Sequence, residues 1–171
     1  MTRLAILEYP DPRLRTRARP VRVFDQALER LVDDMFETMY EARGIGLAAT
    51  QVDVHRQVVT IDVSSEKNRP EVFINPEILS CEVEGMVEES CLSLPGVKAD
   101  VARAIQVRVR TQDRAGQSAE RDLEGMLAVC LQHELDHLQG KLFVDRLSFF
   151  KRLRIRRQYR RDRHVAPHTT V

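Results

Sequence analysis

His133-Glu134-Leu135-Asp136-His137, reached through the apolar run Met126-Leu127-Ala128-Val129-Cys130-Leu131, is the stretch that decides how this chain folds. Together with Leu123, that run is apolar almost all round, the mark of a buried helix rather than a surface one. Residues four apart on a helix differ by only about 40° around the axis and about 6 Å along it, so the His133 and His137 imidazoles point the same way. Two neutral ring nitrogens can then share one cation. Glu134 lies about 100° round the helix from His133. It is poorly placed to be a ligand but able to reach a water at the metal as general base, which makes hydrolysis the expected chemistry. Buried polar groups without partners cost several kcal/mol, so two histidines and a glutamate in an apolar helix need a functional reason.

The third ligand narrows the class. Downstream, Leu138-Gln139-Gly140-Lys141-Leu142-Phe143 keeps the glycine of the metzincin pattern but has Phe143 where the third histidine would stand. A thermolysin-type downstream glutamate is also missing, since no Glu follows Glu134. Asp145 comes only eight residues after His137, and Asp162 sits in a dense arginine run, so the ligand is expected upstream. There Glu88-Glu89-Ser90-Cys91-Leu92-Ser93-Leu94-Pro95-Gly96 reads as a short extended segment containing one of three cysteines. A two-His, one-Cys site with an open fourth position is chemically sound. Cys81 and Cys130 read instead as small buried hydrophobes, with Cys130 near the metal face and able to line a pocket. An odd cysteine count and no secretory signal at Met1-Thr2-Arg3-Leu4 point to a reducing, cytoplasmic setting.

A third segment, Gly44-Ile45-Gly46-Leu47-Ala48-Ala49-Thr50-Gln51, follows an amphipathic helix. In that helix Leu28, Leu31, Val32, Met35, Phe36 and Met39 recur at helical spacing after a cap at Asp25, with Gly44 expected to end it. Gly46 and the small Ala48 and Ala49 would admit close approach of a ligand, and Gln51 offers an amide donor to a developing oxyanion.

The ordered set G-I-G-L-A-A-T-Q, E-S-C-L-S and Q-H-E-L-D-H resembles the three-motif signature of the peptide deformylases. These metallohydrolases remove the N-formyl group from newly synthesised polypeptides, with general HExxH peptidases and non-enzymatic ribosome-associated proteins as the alternatives. The resemblance runs from Leu7-Glu8-Tyr9-Pro10-Asp11-Pro12 to the basic C-terminal region. It implies Cys91, His133 and His137 as ligands of one divalent cation, Glu134 as catalytic acid/base, and Gln51 with the Leu92 N–H around the oxyanion. Fe(II) is implied as the working ion of the bacterial members, while such ligands also admit zinc, nickel or cobalt. The substrate would lie as an added strand beside the Ile45 segment, contacting Gly44, Gly46, Glu89 and Ser90. Its methionine would enter a pocket of Ile45, Val87, Met126, Val129 and Cys130. The family usually has Gly where this chain has Ser90, a change that is strained if the position needs positive φ and harmless if extended. Glu89 and Asp136 are also candidate outer carboxylates for the imidazoles, with Arg103 as counter-charge.

A length of 171 residues with 43% apolar content and no transmembrane-length apolar run suits one soluble catalytic unit, residues 1–147, carrying a basic helix and frayed tail over 148–171. Strands are expected at Val58–Val63, Val72–Asn75, Ile78–Glu84 and Ile105–Thr111. They cluster between two helices, so the fold class is α+β, which the resemblance refines to mainly antiparallel sheets around the motif-bearing helix. Residues 146–163 hold nine of the 27 Lys and Arg against one of the 26 acidic residues, a local charge of +8 that leaves the rest at −7. A basic helix of this kind binds phosphate backbones, and the resemblance makes the ribosome its partner through residues 148–163, with no membrane and no specific DNA expected. His164 and His168 read as bystanders.

Overall fold

A computed structural model describes the backbone of residues 3–165; the side chains of residues 160 and 162–165 are outside the description. Five strands form one antiparallel sheet in sequence order: β1 (Gly46–Ala48), β2 (Val58–Ile61), β3 (Glu71–Cys91), β4 (Leu94–Gln112) and β5 (Ser118–Glu124). Helices α1 (Gln26–Glu41), α2 (Gly125–Leu138) and α3 (Phe149–Val165) complete it, with single 3₁₀ turns at Pro12–Arg15, Ala49–Val52 and Phe143–Arg146. The class is α+β, as expected, with one continuous sheet rather than several.

The side-chain alternation of β2 and β3 explains why two helices are needed. Val58 and Ile74 pack with Leu28, Val32, Met35 and Met39 of α1. Val59, Ile61 and Phe73 face the other way, onto Ala128, Leu131 and Leu138 of α2. All four residues of β2 are therefore buried, the polar Thr60 included, so its sequence shows no in–out alternation of apolar and polar residues. The side chain of Gln132 pins α2 to the sheet by bonding the Ala104 backbone on both sides, accepting its N–H at 3.2 Å and donating to its carbonyl at 2.7 Å.

The first helix starts as read, with Asp25 accepting from Leu28 N–H at 3.0 Å. Its end differs. Arg43, not Gly44, takes the left-handed position (φ 55°), while Arg43 N–H bonds Tyr40 O and Gly44 N–H bonds Met39 O, each at 2.9 Å. Gly44 sits close to another side chain instead: a Cβ there would lie 2.8 Å from Leu92 Cδ1, which would have to move.

Two expected strands, Val72–Asn75 and Ile78–Glu84, are parts of the single long β3, which passes Pro76 by a register shift with Asn75 at φ 51°. The expected strand Ile105–Thr111 is the inner end of β4, and Val58–Val63 shortens to Val58–Ile61. β5 and β1 escaped the sequence reading: β5 is an edge strand whose only buried residue is Leu123, so it shows no apolar alternation. The β3–β4 ladder ends in the two-residue turn Leu92–Ser93 after the third of its register shifts, where Gly96 (φ 78°) lies on the β4 side. Ser90 is extended there, not positive in φ, so serine in place of the family's usual glycine carries no backbone strain.

The last helix docks on the body through Ile155 and Tyr159, which join Leu94, Val101, Leu142, Phe143 and Val144; Tyr159 meets the Tyr9 ring edge-on at 5.5 Å. Phe149 and Phe150 stay exposed. Residues 163–165, read as frayed, are helical in backbone; the remainder of that tail, 166–171 with His168, lies outside the described residues.

Candidate metal centre

Three elements meet at one point. The end of β3 presents Cys91, α2 presents His133 and His137 from successive turns, and the 3₁₀ turn after β1 presents Gln51. Cys91 Sγ lies 3.1 Å from His137 Nε2, which lies 3.2 Å from His133 Nε2, and all three residues are buried. Ligands at about 2.0–2.3 Å from one tetrahedral ion stand about 3.3–3.6 Å apart, close to what is seen. Among the described residues this is the group whose His, Cys or carboxylate atoms converge tightly enough to hold an ion.

The donor set fits a cation for a further reason. His133 Nδ1 is 2.8 Å from Glu89 Oε2, so the ring proton belongs on Nδ1 and the Nε2 lone pair turns inward. Two imidazole nitrogens and a sulfur converging in a buried spot present the donor atoms that a soft or borderline cation takes. Burial holds His137 well below the ordinary histidine range, which favours the neutral ring that a ligand needs.

Behind the ligands runs a chain of buried charge. The Arg103 side chain is fully buried; its Nε and Nη2 donate to the two Glu89 oxygens at 2.5 and 3.0 Å, and its Nη1 donates to Asp136 at 2.8 Å. Asp136 also accepts from Arg146 at 2.6 and 2.7 Å. Burial would lift the Glu89 carboxyl, but hydrogen bonds from His133 and Arg103 outweigh it and hold it down at about 2. Glu89 thus holds a ligand imidazole as expected, whereas Asp136 bonds Arg103 and Arg146 rather than a ring; Arg146, which nothing in the local sequence singled out, completes the connected unit.

Glu134 is 3% exposed, and its Oε2 has no hydrogen-bond partner among the described residues. Burial, reinforced by the negative charge of Glu89 and opposed by His133, pushes its carboxyl up to about 7. Space for it comes from Gly46, where a Cβ would stand 2.5 Å from Glu134 Oε1 and 2.6 Å from Cys130 Sγ. Gly46 therefore makes room for protein, whereas the sequence suggested room for ligand. The Gln51 amide is oriented: its Oε1 accepts from Ala48 N–H at 2.8 Å, so its NH₂ faces Ser93 Oγ at 3.1 Å and Cys91 Sγ at 3.7 Å.

A cleft of about 470 Å³ opens over this centre, and every residue expected in the substrate set lines it: Gly44, Ile45, Gly46, Val87, Glu89, Ser90, Met126, Val129 and Cys130, with Gln51, Cys91, Leu92, His133 and Glu134. His137 lies behind that wall. Arg43, Glu88, Pro95 and Gly96 also border the cleft and were not anticipated, because nothing in their local sequence says that the chain bends back there. Cys130 is buried as read, but Cys81, also read as buried, is exposed.

The family model described as polypeptide deformylase matches residues 3–153. The peptide deformylase of Hahella chejuensis is 61% identical over 160 residues, covering 92% of this chain and 95% of that protein. Peptide deformylase 2 of Xanthomonas axonopodis pv. citri is 58% identical over 170 residues, covering 97% of this chain and all of that one. The crystal structure of a peptide deformylase from Legionella pneumophila superposes with a TM-score of 0.89 at 47% identity, over 97% of this chain and all of that one. Sequence, fold and site geometry agree, and this chain belongs to the polypeptide deformylase family.

Proposed function

We propose that this protein hydrolyses the N-formyl group from the N-terminal methionine of newly made polypeptides, releasing formate. The observation that carries the reading is the buried Glu134 carboxylate, its Oε2 without a partner among the described residues, lining the same cleft as Cys91 and His133 of the Cys91–His133–His137 cluster. A divalent ion held by those three residues would polarise the formyl oxygen and lower the pKa of a water. Glu134 takes a proton from the attacking water and passes it to the departing amine nitrogen, a double duty suited to a carboxyl near neutrality. Gln51 Nε2 and the Leu92 N–H donate to the formyl oxygen as it gains negative charge. The carbon–nitrogen bond then breaks, giving formate and a free methionine amine.

In this reading Ile45, Val87, Met126, Val129 and Cys130 hold the methionine side chain, while Gly44, Gly46 and Ser90 border its main chain. Both Glu89 oxygens are already engaged, so Glu89 acts through His133 rather than on substrate. Fe(II) is the ion we assign in the cell, with zinc, nickel or cobalt as substitutes. We place the enzyme in the cytoplasm, with residues 1–147 as the catalytic unit and the basic helix from residue 148 as its contact with the ribosome. No described helix is long and apolar enough to cross a membrane.

Formate release from an amidated formyl-Met-Ala peptide by the metal-loaded protein tests the reading. Cleavage of internal peptide bonds without formate would replace it with a general peptidase.

A further inference from the structure

The rim of the cleft carries an unbalanced charge. Arg43 is the one Lys or Arg lining the cleft among the described residues, and it has no ion pair or side-chain hydrogen bond among them. The opposing rim carboxylate, Glu88, is already tied to Lys98 at 3.0 Å. A second cation stands close by: Lys67 Nζ donates to Gly44 O at 3.4 Å and to Asp62 O at 3.3 Å. The acidic groups within the cleft are committed to the metal end, Glu89 to Arg103 and His133, and Glu134 beside Gly46.

The backbone makes Arg43 more conspicuous. It occupies the left-handed position that closes α1 (φ 55°), where glycine is the default and any larger L side chain is disfavoured. A residue kept in a disfavoured conformation at the mouth of a site is a candidate for function. The strain fixes its Cα at the rim next to Gly44 and Ile45, beside the path by which a chain leaves once its first residue is at the metal end.

We infer that Arg43 is a specificity-determining residue that favours formylated chains carrying an aspartate or glutamate in the first positions after methionine. The inference rests on the deformylase reading above. A growing chain has no free terminal carboxylate near its start, so the anion it can offer Arg43 is a side chain. Because Arg43 is exposed, the contact acts in high dielectric and its effect is moderate and sensitive to salt.

The test uses C-terminally amidated formyl-Met tripeptides with Asp, Ala or Lys at the second or third position, which removes the terminal carboxylate as a competing anion. Wild-type protein should turn over the Asp peptide with kcat/KM roughly two- to five-fold above the Lys peptide at one of these positions, through KM, and high salt should level the two. Arg43→Glu should reverse the order. Arg43→Gly, which suits the left-handed backbone and so guards against a folding defect, should abolish the preference. Equal rates for Asp and Lys peptides in the wild type, or a preference that survives in both variants, would overturn the inference while leaving deformylation standing. Hydrolysis of none of the peptides, the Ala control included, would overturn the deformylase reading and the inference with it.

Discussion

Glu89 Oε2 stands 2.8 Å from His133 Nδ1 while the same carboxylate takes two bonds from Arg103, so one buried residue sets the tautomer of a metal ligand. Glu89→Gln keeps the shape but loses the charge. It should weaken metal retention about 10- to 100-fold, read by chelator competition. Arg103→Met should cost about 3–5 kcal/mol in denaturant unfolding, because it removes the buried cation that Glu89 and Asp136 share and leaves Glu89 with His133 alone. Unchanged stability in that variant would mean the carboxylates are not charged together.

Metal binding and turnover should separate at two positions. Cys91→Ala removes a negative ligand and one vertex, so metal content should fall with activity. Glu134→Gln should retain stoichiometric metal and lose turnover by on the order of 10² to 10⁴. Gln51→Ala should also keep the metal and raise the barrier by about 3–4 kcal/mol. Normal metal and normal activity in Cys91→Ala would remove Cys91 from the site.

Gly46→Ala is a single methyl aimed at Glu134 Oε1 and Cys130 Sγ. It should displace the carboxylate and reduce kcat more than KM, with thermal stability lowered by about 1–3 kcal/mol through overpacking. The double variant with Cys130→Ala relieves one of the two clashes and should recover part of the stability.

Tyr40 Oη donates to Asp62 Oδ2 at 2.8 Å across the junction of α1 and the end of β2. Burial alone would lift the Asp62 carboxyl, but bonds from Ser64, Tyr40 and the backbone hold it below its ordinary 3.8. Its contribution to stability is therefore complete above about pH 4 and lost as pH falls through the lowered value. Tyr40→Phe removes one donor, so acid unfolding should begin at a higher pH, with about 1–2 kcal/mol lost near neutrality.

For the basic helix, charge reversal is a cleaner probe than deletion. Ile155 and Tyr159 belong to the core cluster beneath α3, so truncation after Leu147 would open the body, whereas Arg154, Arg157 and Arg161 are exposed. Changing these three to Glu should leave peptide hydrolysis intact and abolish co-sedimentation with ribosomes at low salt. Wild-type binding should fall steeply with added salt. Co-sedimentation unaffected by the three changes would make α3 a merely solvated helix.

The metal centre was legible in sequence because it rests on rare residue types at helical spacing, and α1 because its apolar period and Asp25 cap agree. β5 was hidden because Glu120, Arg121 and Asp122 pair across the edge with Arg110, Glu71 and Arg108, leaving no apolar alternation to read. Glu89, Arg103 and Asp136 were candidates on sequence, but that Asp136 turns to Arg103 and Arg146 rather than to a ring depends on β3, β4, α2 and a 3₁₀ turn meeting, which local pattern does not encode. Arg43 was unreadable for the opposite reason: the neighbouring glycine looked like the obvious helix stop, yet tight contact with Leu92 claims that glycine instead.

The second helix rests chiefly on β1, β2, β4 and β5, while its contacts with the outer end of β3 run through Glu89 to His133 and Cys91 to His137. An ion at that point is therefore also a tether between two parts of the fold that otherwise meet through few side chains. Folding and metal capture become thermodynamically linked: each tenfold rise in free ion above the dissociation constant adds about 1.4 kcal/mol to the folded state. The tip of the β3–β4 ribbon is where chelation would first be felt, as faster amide exchange around Cys91 before any loss of the helices.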